Sequence, residues 1–160
     1  MNKPKGYFEL DLIDPISNES EYHYEGKNEI VINSSTIIAL SMLNKYHINR
    51  LLIGDGFEET KTKLRTNLVH EIYQIAIKIN KADIINASEI NSEGQNQGSI
   101  EGQMALSLEV ITEKPVIIRD ITEFGLAFVD ENNKILFNYK SIAPIQCINK
   151  RIKITWKIIF

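Results

Sequence analysis

The chain has 160 residues, 43% of them hydrophobic and 24% charged, with a formal net charge of −3, a balance that fits one globular domain with its own core. The mild acidity argues against sequence-independent binding of nucleic acid through phosphates, and no apolar run is long enough to span a bilayer as a helix. The single cysteine, Cys147, excludes an intramolecular disulfide.

In chain order, residues 1–6 contain Pro4 and Gly6 and suggest a flexible arm. Tyr7 to Ile13 alternates, with Phe8, Leu10 and Leu12 on one face and Glu9 and Asp11 on the other. Those acids also make the run unlike a signal peptide. Asp14 to Ser20 has loop chemistry, and Tyr22 and Tyr24 resume the alternation, so strands over 7–13 and 21–26 should form a hairpin. The Asn33-Ser34-Ser35 cluster suits a helix N-cap, and apolar residues behind it recur at three-to-four spacing, which predicts an α-helix over 36–46. Leu51-Leu52-Ile53 reads as a short buried strand ended by Gly54-Asp55-Gly56. Val69 to Ile79 alternates as one strand, and another short one is centred near 83–87. Residues 91–103 are rich in Ser, Gly, Gln and Asn and predict a mobile surface loop. Met104 to Val110 is a strand. Residues 115–119 are a short extended piece, and 121–129 a strand interrupted by Gly125. A turn at 130–133 leads to a strand at 135–139, making a second hairpin. Ser141 to Gln146, with Pro144, connects to the last strand.

That strand, Cys147 to Phe160, holds period-2 alternation longest. Ile152, Ile154, Trp156 and Ile158 share one face, and Arg151, Lys153 and Lys157 the other. It is expected to pair on both edges and close the core, with Trp156, Ile152, Ile154 and Phe128 as core residues. Cys147 and Ile148 fall, by parity, on the polar and apolar faces respectively. The alternation breaks at Ile158-Ile159-Phe160, where both faces are apolar. Arg151, Lys153, Lys157, Ile159 and Phe160 are therefore the candidate interface, with the cations suited to an acidic partner subunit. The fold class is mainly β: an antiparallel β-sandwich of about eight strands with one helix, forming a single domain over 1–160.

No constellation for catalysis emerges. His70-Glu71 starts like a zinc-binding helix motif, but the segment alternates as a strand and position 74 is Gln. His23 and His47 lack ligand spacing. Gly54-Asp55-Gly56 lacks the rest of a phosphate loop, and its glycines read better as permitting positive φ in a turn. Cys147 reads as a structural thiol. The expectation is a non-enzymatic chain with no cofactor and no metal.

The order of several short motifs carries more. Ile48-Asn49-Arg50-Leu51-Leu52-Ile53-Gly54-Asp55-Gly56 is followed by Leu68-Val69-His70-Glu71, then by Ile121-Thr122-Glu123-Phe124-Gly125-Leu126. Ile135-Leu136-Phe137, Pro144-Ile145 and the Trp156-bearing strand come next. This series resembles a group of bacteriophage virion proteins, best known from tail-collar and tail-fibre proteins and their small free-standing relatives. The resemblance covers residues 30–160. It implies a structural component of the particle, in the tail, the collar or on the capsid surface, that docks on other virion proteins and attaches or presents a fibre. It also implies homo-oligomeric or ring-associated copies, no nucleic-acid or membrane partner, and residence in the virion. Gly54, Gly56 and Gly125 would serve turns or close backbone approach, and Glu123 would cap or pair within its hairpin. Two departures stand out: the chain has no repetitive shaft, and Gln146 occupies a position where the resemblance leads one to expect a basic residue. The competing reading is a carbohydrate- or receptor-binding β-sandwich that uses its tyrosines and the 91–103 loop.

Overall fold

Alternating sequence becomes strand almost throughout. The structure is a computed structural model and describes residues 5–30, 47–57, 66–86 and 104–159. Among the described residues eight strands are formed: β1 (Lys5–Ile13), β2 (Ser20–Ile30), β3 (Arg50–Gly54), β4 (Glu71–Ala76), β5 (Ile79–Asn86), β6 (Met104–Ile111), β7 (Val116–Val129) and β8 (Lys134–Ile159). Every strand pairing is antiparallel. The helix expected over 36–46, the 91–103 loop and Phe160 lie outside the described residues. Among the described residues there is no helix.

β8 organises the molecule. It is 26 residues long and belongs to two layers. Its second half lies between β1 and β6, with Ile154 opposite Leu10 on one side and Val110 on the other. β2 and β5 extend that layer outward. Its first half pairs with β7, which pairs with β3, which pairs with β4. Glu29 and Ile30 of β2 also reach Tyr139 and Asn138 of β8. The eight strands thus form one hydrogen-bonded sheet, folded into a sandwich-like pair of layers.

The core fills the space between the layers. Phe8, Leu10, Leu12, Ile152, Ile154 and Trp156 come from one side, and Leu51, Ile53, Phe124, Leu126 and Phe128 from the other. The Phe8 and Phe124 rings meet across it with centroids 5.9 Å apart. Trp156, Ile152, Ile154 and Phe128 are all buried. A second apolar cluster lies on the opposite face of the β7–β3 layer and contains Leu52, Leu68, Ala127, Leu136 and Tyr139.

Several boundaries differ from those the sequence predicts. Lys5 and Gly6 are not part of an arm, because they pair with Ile159 and Ile158. The run 69–79 is two strands. β4 borders one layer and β5 the other, and the chain crosses between them at Ile77, which is buried. Residues 116–129 form one strand rather than two. The 141–146 connection is not a loop but the middle of β8. Pro144, which has no N–H, falls in the irregular stretch of the β7–β8 ladder, where no ladder bond is demanded of it.

A bulge reverses the side-chain order in β8. Val116 pairs with Lys150 and Ile117 with Ile148, so Asn149 is an extra residue, with φ 55°. One inserted residue exchanges the two faces of a strand. Before it, Cys147 is fully buried and Ile148 is 40% exposed. After it, the even-numbered residues point inward. The expectation that Cys147 shares the polar face of the terminal strand is corrected for that reason. Burial pushes its thiol above the ordinary range, which suits an inert packing residue.

Candidate functional site

Three of the motifs that carry the resemblance meet at one place, on the outer face of the β7–β3 layer. β3 ends at Gly54, and the chain continues through Asp55 to Gly56. Residues 67–70 run beside it into β4. Glu123 of β7 stands opposite Gly54 in the ladder. Its carboxylate is fully buried, so each of its oxygens needs donors to replace water. Oε1 accepts from the N–H of His70 at 2.8 Å and of Gly56 at 3.3 Å. Oε2 accepts from the N–H of Val69 at 2.9 Å and the hydroxyl of Tyr139 at 2.8 Å. A carboxylate accepts without donating, so four converging donors satisfy it. Next to it the Thr122 hydroxyl donates to the Gly56 carbonyl at 2.5 Å. Glu123 therefore clamps two separate chain segments onto β7. One of its four donors, Tyr139, comes from its own hairpin, as expected, and the other three come from the segments at Gly56 and Val69–His70.

The glycines follow from the clamp. A Cβ on Gly54 would collide with the Glu123 carboxylate and lie 2.5 Å from the His70 carbonyl. A Cβ on Gly56 would lie 2.6 Å from the His70 nitrogen. Neither glycine has a left-handed φ, so close approach and not turn conformation requires them. Gly125 sits one pleat further along, where a Cβ would be 2.6 Å from Cδ1 of Leu136. At the rim, the imidazole of His70 hydrogen-bonds Asp55, which raises the histidine pKa above its ordinary 6.5. Phe57, Val69 and Tyr73 are large apolar side chains near this corner, 70%, 45% and 52% exposed.

The bulge in β7 accounts for Gln146. Asp120 has φ 56°. Gln146 donates to its carboxylate at 2.7 Å and accepts from its N–H at 3.3 Å. A neutral amide thus fills the place where a basic residue is expected, and it makes a two-bond contact with the acid that such a residue would face.

Arg151, Lys153 and Lys157 of the terminal strand share the outer face of the β1–β8–β6 layer, and each, like Lys150 just before them, has a partner within the chain. Lys157 Nζ lies 2.9 Å from Glu9, and Lys153 Nζ lies 3.8 Å from Asp11. Arg151 Nε donates to the Thr112 carbonyl at 2.8 Å. Lys150 reaches Glu21 at 3.0 Å and Asp14 at 3.2 Å, and these bonds, Glu21 first, raise its pKa. Asp11 also accepts from Ser20 and binds His23, each at 2.8 Å. The bond to Asp11 lifts the His23 pKa. The acids that meet Lys150, Lys153 and Lys157 are the chain's own. Ile159 is half-buried at the end of this face.

Tyr22 and Tyr24 pack against the core from its margin, so they do not form an open platform for a sugar or base. His47 lies against Phe128, ring centroids 6.0 Å apart. Among the described residues no group of three His, Cys, Asp or Glu is placed to hold a metal ion. No protein-family model matches the chain, and neither a curated protein nor a solved structure matches it.

Proposed function

We propose that this chain is a non-enzymatic structural component of a bacteriophage particle, of the tail, collar or capsid surface, which docks on other virion subunits and attaches or presents a fibre. The observation that carries the reading is the Glu123 clamp. Gly54 and Gly56, the Leu68–Glu71 segment, and Glu123 with Gly125 belong to three of the motifs on which the resemblance to virion proteins rests. They are far apart in sequence and converge on one buried carboxylate. A motif series held together by architecture and not by a reacting group is what a scaffold protein needs. The test is mass spectrometry of gradient-purified particles from the phage that carries the gene. The chain should be present at a fixed copy number after high-salt washing. Complete infectious particles that lack it would overturn the reading.

A further inference from the structure

Among the described residues three strands have an open edge: β5, β4 and, apart from the Glu29–Ile30 pairing with β8, β2. Two of them carry charges that discourage pairing with another chain. β2 has Glu21, His23, Glu25 and Lys27, and β5 has Lys81 and Asp83, which pair with each other at 3.2 Å. β4 differs. After Glu71, which is held by Lys134 at 2.6 Å, its sequence is Ile72-Tyr73-Gln74-Ile75-Ala76, with no charge and no proline. Among the described residues nothing pairs with its outer side.

The ladder with β3 fixes which backbone groups of β4 face outward. The Ile77 N–H donates to the Asn49 carbonyl, and the register sets Ile75 against Leu51 and Gln74 against Leu52. In an antiparallel pair, hydrogen-bonded residues alternate with non-bonded ones. Ile75 therefore exchanges bonds with β3, while the N–H and C=O of Gln74 and Ala76 point away from it.

We propose that β4 is the pairing edge for the β4 of a second copy of this chain, antiparallel about a twofold axis through Gln74. The strand is self-complementary in that register. Gln74 meets Gln74 of the other copy and exchanges two backbone hydrogen bonds with it. Tyr73, 52% exposed in the single chain, comes beside Ile75 of the other copy, an aromatic and β-branched pair of the kind that stabilises sheets. No like charges are opposed along 72–76. A twofold contact of this type is closed, so it ends at a dimer and does not propagate into a fibre. The inference does not depend on the virion reading: a chain that dimerises yet is absent from particles keeps this proposal and removes the other.

The experiment is sedimentation velocity and light scattering on the full chain over a concentration series, with two variants. The wild type should be a dimer. Gln74→Lys places two like charges face to face on the twofold and should raise the dimer dissociation constant by about tenfold or more, with circular dichroism unchanged because Gln74 is exposed. Gln74→Cys should give a disulfide-linked dimer on mild oxidation, since a bonded antiparallel pair brings Cα atoms to about 5.5 Å, within disulfide range. A wild type that is monomeric throughout the series overturns the proposal. So does a dimer that Gln74→Lys leaves intact and Gln74→Cys does not cross-link.

Discussion

Two groups of carboxylates in this molecule are held in opposite ways. Glu123 is sealed inside the β7 corner and bound by three backbone N–H groups and a tyrosine hydroxyl. Glu9, Asp11 and Asp14 line the outer face of the β1–β8 layer and are met by Lys157, Lys153 and Lys150. The first group has no water to fall back on, so removing the acid leaves buried donors unsatisfied. The second exchanges protein partners for solvent with little change in free energy. The carboxylate that fixes local geometry is thus the one without a cationic partner. The visible salt bridges contribute mainly to strand alignment.

Deleting the clamp is the strongest way to break this contrast. Glu123→Ala should destabilise the chain by about 3–5 kcal/mol, because the buried N–H of Gly56, the partly buried N–H groups of Val69 and His70 and the Tyr139 hydroxyl lose their acceptor, at roughly 1–3 kcal/mol for a buried group. Urea unfolding monitored by tryptophan fluorescence would measure it, and a loss under about 2 kcal/mol would show that water replaces the carboxylate. Crowding the clamp is the next test. Gly54→Ala should cost about 3 kcal/mol, since the new methyl meets a backbone carbonyl and the carboxylate itself. Gly125→Ala should cost about 1 kcal/mol, because the obstacle is a leucine methyl that can move. Equal costs at the two positions would argue against the clamp as the rigid element.

The surface group should respond weakly. A double-mutant cycle on Glu9 and Lys157 should give a coupling of about 0.5–1 kcal/mol that shrinks with added salt. A coupling near the Glu123 value would erase the distinction.

The smallest effect concerns pH. Hydrogen bonds to Asp11 and Asp55 raise the folded-state pKa of His23 and His70 above 6.5. Their stabilisation is therefore complete below pH 6.5 and fades as pH rises through the folded-state values. Asp14 is depressed below its ordinary 3.8 by the N–H groups of Ser17 and Ile16 and then by Lys150. Its contribution is present above that value and is lost as the solution is acidified below it. The thermal midpoint should drift down slightly between pH 6 and 8, and the double variant His23→Asn, His70→Asn should flatten that drift.

The legible part of this fold is the part governed by local alternation. Phe8, Leu10 and Leu12, or Ile152, Ile154 and Trp156, declare their faces without knowledge of their neighbours. What escapes is set by single residues or distant partners. Asn149 and Asp120 each insert a bulge through a left-handed φ, and nothing in a period-2 pattern marks the position where parity reverses. Parity alone therefore puts Cys147 on the face opposite to the one it occupies. The unity of β8 escaped because Pro144 ordinarily signals a break. Asn138 and Asn49 do the work of missing ladder partners, the first accepting from Leu126 N–H at 2.8 Å and the second bonding both backbone groups of Val129. An asparagine in sequence does not disclose such a role. The Gly54, Gly56 and Glu123 signals were visible one by one, but their convergence depends on contacts between segments far apart in the chain.

The pairing of β1 with the end of β8 has a kinetic consequence. Lys5 lies opposite Ile159, so the central strand of one layer leaves the ribosome long after its neighbour β1. The earlier strands must wait, with apolar faces uncovered, until that partner arrives. Ladders that join such distant positions make folding slow, on the scale of milliseconds to seconds. They also leave β1 open to mispairing and aggregation until β8 has been made.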